Sequence, residues 1–173
     1  MKILKFLALA LVATGLTVAV PASAAPAGTN MTRSFIQNAT IGNGFEIMAS
    51  RLALQKSRNP EVRDFAQRMI NDHSQADQDL RETIMHSRFS MTRMPNNLDA
   101  KHRKILSRLE RANGYDFDQK YIKAQVDAHK SAVALFANYA RNGSNPDIRE
   151  FARDTLPTLQ EHNAHVRHIR LYR

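Results

Sequence analysis

Asn59-Pro60-Glu61-Val62-Arg63-Asp64-Phe65-Ala66 returns 86 residues later as Asn145-Pro146-Asp147-Ile148-Arg149-Glu150-Phe151-Ala152, with every difference conservative. Each copy is written as a helix start. Asparagine accepts an amide hydrogen of the first turn, proline suits that turn because its missing donor costs nothing there, and the acidic residues complement the positive end of the helix dipole. Two such starts divide the chain into two related halves, each a pair of helices.

Apolar residues on either side of these starts recur at three- and four-residue steps, the helical period. From about Thr32 to Lys56, Phe35, Ala39, Gly42, Ala49 and Ala53 share one stripe, with Ile41, Phe45, Met48 and Leu52 beside it. The small residues on that stripe predict a close approach to a neighbouring helix. After Asn59, the seam Val62, Phe65, Met69, Ala76, Leu80 and Ile84 predicts a second helix ending near His86 or Ser87. A third begins near Tyr115 to Phe117, buries Ile122, Val126, Val133, Phe136 and Ala140, and stops at Asn142-Gly143, where glycine suits a left-handed residue after the helix. The fourth carries Ile148, Phe151, Thr155, Leu159, Val166 and Ile169, with Pro157 predicting a kink.

Between the second and third helices, Arg88 to Asn113 is polar and broken by Pro95 and Asn96-Asn97, with Leu98, Ile105, Leu106 and Leu109 marking a short amphipathic helix. Short links force each helix pair into an antiparallel hairpin, while this long one can travel the length of a bundle. The expected fold is all-α: a ferritin-like four-helix bundle with a long crossover containing a short extra helix. An up-down-up-down bundle stays open if the short helix packs across one end.

Residues 1–24 read as a leader. Lys2 and Lys5 form a basic start, Phe6 to Val20 an apolar run, and Ala22-Ser23-Ala24 a cleavage site, the layout of a secretory signal peptide. The run is too short for a membrane anchor. Cleavage near Ala24 would leave a flexible segment over 25–31 and a single domain over 32–171, exported to a bacterial periplasm or associated with the outer membrane, without a transmembrane helix. There is no cysteine, which excludes disulfides and cysteine-linked lipid. The net charge of +9 drops to +7 once the two leader lysines are removed. Basicity outside the cytoplasm points to anionic envelope surfaces or a protein partner rather than nucleic acid. Lys101, Arg103, Lys104, Arg108 and Arg111 nevertheless read first as the solvated face of the short helix.

Within the apolar registers sit His73, between Met69 and Ala76, His129, between Val126 and Val133, and His162, between Leu159 and Val166. Glu46 lies in the small-residue stripe, so each long helix offers one inward ligand-type residue at similar depth. A buried carboxylate beside clustered imidazoles is costly unless a cation or mutual hydrogen bonds relieve it. Glu46, His73, His129 and His162 are therefore candidate ligands for one transition-metal ion, zinc or iron being suited to imidazole, with Asp77 a candidate fifth ligand or supporting partner. The competing reading is a core network of hydrogen bonds and trapped water. Asp72, Asp127 and Glu161 are expected along the sides in ion pairs, and His165 and His168 on the surface.

Taken together, Ser34-Phe35, Glu46 through Ala53, Asn59 through Ala66, Met69-Ile70-Asn71-Asp72-His73, Gly114 through Asp118 with Tyr121, Asp127-Ala128-His129, and Leu156-Pro157 leading to His162 resemble a known family. It is the bacterial domain of unknown function numbered 4142, of the ferritin-like superfamily. The resemblance covers about Met31 to Ile169 and implies a ferritin-like bundle and envelope export, without an established reaction. Di-iron members of the superfamily carry Glu-x-x-His pairs, whereas Ile70, Val126 and Leu159 precede these histidines by three. That argues against carboxylate-bridged di-iron chemistry. No nucleophile arrangement, phosphate loop or catalytic carboxylate pair indicates an enzyme. Three functional expectations follow: a metal-binding bundle in envelope stress tolerance, an interaction module for anionic envelope material, and a bundle that responds to pH through its core histidines.

Overall fold

In the computed structural model the described residues form five helices: α1 (Ala27–Lys56), α2 (Pro60–His86), α3 (Ala100–Arg111), α4 (Gly114–Asn142) and α5 (Pro146–Val166). The structure describes residues 27–87, 89 and 94–172; the expected leader over 1–24 lies outside these, as do residues 88 and 90–93 of the crossover. The two asparagine starts cap as their chemistry requires. Asn59 Oδ1 accepts from the Val62 amide at 3.2 Å, and Asn145 Oδ1 from the Ile148 amide at 3.0 Å. Arginines at matching positions tie the caps to the preceding links, Arg63 Nη1 donating to the Ser57 carbonyl and Arg149 Nη1 to the Gly143 carbonyl.

Side-chain contacts fix the topology. Thr32 Oγ1 lies 2.7 Å from the Tyr139 hydroxyl, Ser50 Oγ lies 2.9 Å from the Tyr121 hydroxyl, and Lys56 Nζ donates to Asn113 Oδ1, so α4 runs antiparallel to α1. Asn59 donates to the Arg170 carbonyl and Arg68 pairs with Glu161, so α5 runs antiparallel to α2. Helices α2 and α4 therefore point the same way, and the crossover containing α3 must return along the bundle. This is the ferritin-like order. An up-down-up-down arrangement would set α4 antiparallel to α2.

Several local expectations are revised. Helix α1 begins at Ala27, so 27–31 form its first turns rather than a flexible lead-in; Thr32 Oγ1 bonds back to the Gly28 carbonyl, which also accepts from Ser144. Gly143 has φ −60, not a left-handed value. Its glycine is required by crowding instead, since a Cβ there would lie 2.5 Å from the Tyr139 ring. Helix α5 runs from Pro146 to Val166 with Pro157 inside it. On α4 the inward stripe is rotated from the expected one: Phe117, Tyr121, Gln125, Phe136 and Tyr139 are buried, whereas Ile122, Val126 and Val133 lie at its flank. Ile36 is fully buried and Met48 is exposed.

The interior falls into two apolar clusters. One holds Phe45, Phe65, Met69, Leu109, Phe117 and Tyr121; the other holds Phe35, Leu80, Phe136, Tyr139, Phe151 and Leu159. Between them, on each long helix, sits a polar residue.

Candidate metal centre

Glu46 on α1, His73 on α2, His129 on α4 and His162 on α5 meet at that boundary, each no more than 5% exposed. On α2, α4 and α5 the residues to one side belong to the first cluster and those to the other side to the second. On α1 the boundary falls between Ala39 and Phe45, and the carboxylate of Glu46 approaches His73 and His129, so the four meet in one layer. The ring centroids of the three histidines are 5.4 to 5.7 Å apart. One ligand-capable nitrogen from each lies within 4.8 Å of the other two. Nitrogens about 2 Å from a common ion stand roughly 3.3 Å apart, so small side-chain rotations bring these rings to coordinating distance. Phe65 presents its ring edge-on to His129 and His162 and closes one side of the layer.

Each imidazole is oriented by a partner outside the layer. Asn43 Nδ2 donates to the His73 carbonyl at 2.6 Å, which turns Asn43 Oδ1 toward His73 Nδ1 at 2.5 Å and makes that nitrogen the protonated one. His129 Nδ1 donates to the Gln125 carbonyl at 3.0 Å, and His162 Nε2 to Asp72 Oδ2 at 2.8 Å. The remaining nitrogens, His73 Nε2, His129 Nε2 and His162 Nδ1, are buried with no hydrogen-bond partner among the described residues, as are both oxygens of Glu46. Glu46 Oε2 lies 2.5 Å from His73 Nε2, an ion-pair contact that helps hold the carboxyl down, and Oε1 lies 3.2 Å from His129 Nδ1, whose hydrogen goes to the Gln125 carbonyl. Two lone pairs, on His129 Nε2 and His162 Nδ1, and a carboxylate paired with His73 thus meet in the layer, and the other ring nitrogen of each histidine is engaged by Asn43, Gln125 or Asp72. An outer acceptor that fixes ring tautomer and raises ligand basicity is the usual support of metal-binding histidines.

Electrostatics point the same way. Burial works to raise the Glu46 carboxyl, but the facing imidazoles of His73, His129 and His162 outweigh it and hold the group below the ordinary glutamate value. His129 is depressed by burial, with the Glu46 charge opposing. Burial drives His162 down to about 4 against its hydrogen bond to Asp72. Near neutral pH the layer therefore carries an ionised carboxylate beside neutral rings at positions 129 and 162, an environment that favours a cation.

Two residues of this arrangement escape sequence reasoning. Asp72, expected along the side in an ion pair, orients His162 on a different helix. Asn43 left one signal, its position three before Glu46 on the same helical face. Asp77 takes no part in the histidine cluster; its carboxylate pairs with Arg81 at 2.8 Å. Of the other two predicted surface residues, Glu161 does pair with Arg68 and Asp127 with Lys123, while His165 is half-buried and packs edge-on to Phe65.

The small-residue stripe of α1 also behaves differently from expectation. A Cβ at Gly42 would meet nothing within 4 Å, so no helix approaches closely there. A cavity of about 400 Å³ opens instead, reaching the layer at Glu46 and His73.

Among the described residues no helix is long and apolar enough to cross a membrane. No curated protein matches the sequence. The family model described as "Domain of unknown function (DUF4142)" matches residues 17–169. Among solved structures, the chain is similar to CopM in its Cu(I)-bound form, with TM-score 0.64, 20% identity and coverage of 79% of this chain and 92% of that one. The Cu(II)-bound form gives a TM-score of 0.66 at 20% identity, covering 79% and 93%, and the silver-bound form 0.62 at 21%, covering 79% and 92%. At these identities the likeness establishes a shared fold.

Proposed function

Because the chain belongs to the DUF4142 family, whose description assigns no activity, we propose its function from the site: an exported bundle protein that binds one transition-metal ion through Glu46, His73, His129 and His162. The observation that carries this reading is the set of hydrogen bonds to Asn43, Gln125 and Asp72, which leaves one ring nitrogen each of His73, His129 and His162 turned, with the Glu46 carboxylate, toward a common centre. Three imidazole nitrogens and a carboxylate oxygen suit copper(II) or zinc(II) better than softer ions that favour sulfur. Copper is the ion we commit to, since the similar CopM structures are copper-bound. Bound there, the ion would supply a fixed positive charge to the layer, held by the four side chains.

The leader over residues 1–24 and residence in the envelope belong to the same proposal, with a role in metal stress tolerance there. Their test is the intact mass of the protein recovered from the periplasm, which should begin near Ala25. The metal test uses untagged protein. It should hold copper at one equivalent, and His73→Ala or His162→Ala should abolish this. Ion at a hundredfold excess over its dissociation constant stabilises a fold by about 2.7 kcal/mol. Protein that stays metal-free and melts at one temperature with and without copper or zinc would defeat the proposal; retention of zinc alone would keep the site and change the ion.

A further inference from the structure

We propose that the cavity beside the histidine layer is a binding site for a small neutral amphiphile: an apolar body with one head group that carries both a hydrogen to donate and a lone pair. Its volume, about 400 Å³, falls in the range of small-molecule sites, about 300–1,000 Å³. Ala39, Gly42, Ala76, Ala128 and Phe136 supply apolar wall. At the layer the wall changes to Glu46 and His73, which are 2% and 5% exposed and whose Glu46 oxygens and His73 Nε2 have no hydrogen-bond partner among the described residues. Exposed Asn38, Lys101, Asp127 and Ser131 also line it, which connects the space to solvent.

Gly42 shows that packing does not account for this space. A glycine inside a helix costs roughly 0.5–1 kcal/mol relative to alanine, and it is usually kept where a neighbour would clash with a Cβ. Here a Cβ meets nothing within 4 Å. The residue leaves room in the cavity, four positions before Glu46 and on the same helical face. The chemistry at the closed end selects the head group. In the metal-free protein the Glu46 carboxylate presents acceptors at this end, so the head donates a hydrogen to it. With an ion held by the layer, the same head turns its lone pair to the ion from the cavity side. This second role rests on the proposed metal binding; the first does not.

The probe is 4-phenylimidazole, compared with imidazole, which has the head but no apolar body. In metal-free protein, calorimetric titration should show 4-phenylimidazole binding at least about tenfold more tightly than imidazole, the gain coming from burial of the phenyl ring. In copper-loaded protein it should shift the visible spectrum while copper remains protein-bound through gel filtration. Gly42→Leu should fill the space and remove the tenfold preference in both arms with copper content unchanged. Ala132→Leu, on the opposite wall, should do the same and guards against a local effect of the first variant on α1. Equal affinity for the two probes in the wild type, or an undiminished preference in both folded variants, would overturn the proposal. Copper that never loads, with the metal-free preference intact and lost in the variants, would sink the metal reading and leave the cavity site standing.

Discussion

Acidifying the metal-free protein should destabilise it, through His162. This ring is buried, and its pKa falls from an ordinary 6.5 to about 4 in the folded state. Between those values the unfolded chain takes up a proton that the folded chain refuses, so stability rises with pH and is lost as pH falls through the window. That difference corresponds to about 3 kcal/mol at the acid limit, most of which is lost by about pH 4.5. For a domain of this size that is a fall of about 5–10 °C in melting temperature. His129, also depressed by burial, acts in the same direction. Glu46 does not contribute in this range: its folded pKa is lowered, so its stabilisation is complete above about 4.5 and fades only below. The assay is thermal unfolding followed by far-ultraviolet circular dichroism from about pH 7 to 4.5, with His162→Gln in parallel. Wild type should lose about 2 kcal/mol more over this range than the variant. A flat wild-type profile, or equal slopes for the two proteins, would refute the reasoning.

Removing the carboxylate behind His162 by Asp72→Ala should weaken metal affinity roughly 10- to 100-fold with the fold retained, measured by competition with a chromophoric chelator; unchanged affinity would show that the hydrogen bond does not support the ligand. Gly42→Ala should stabilise the protein by about 1 kcal/mol in urea unfolding, because its new methyl meets no neighbour. A destabilised variant would mean that the space is smaller than described. Asn59→Ala should cost about 2 kcal/mol and Asn145→Ala about 1, since Asn59 caps α2 and also holds the Arg170 carbonyl; equal losses would remove the role given to that second bond.

What the sequence made legible was set by local chemistry. The two asparagine-proline starts, the polar crossover and the three-and-four periodicity depend on neighbours within one helix, and they led to the bundle and its connections. Glu46, His73, His129 and His162 were legible because each interrupts an apolar stripe on its own helix. The α4 register was misread where the core uses polar atoms: Tyr121 and Tyr139 are buried because Ser50 and Thr32, on another helix, satisfy their hydroxyls. Asp72 and Asp77 show the same limit. Spacing along α2 favoured Asp77, one turn from His73, but His162 approaches from α5 and meets Asp72. The empty side of Gly42 is likewise a property of the neighbours, and a row of small residues reads alike whether a helix or a cavity lies against it.

The layer draws Glu46 and His73 from the hairpin of α1 and α2, and His129 and His162 from the hairpin of α4 and α5. Neither hairpin owns more than half of the ligand set, so an ion seated among them becomes a clasp between two otherwise separate pieces. Its release would loosen the seam joining the pieces before it loosened either piece. Amide exchange should then quicken first along the α1–α4 and α2–α5 faces when the ion is withdrawn.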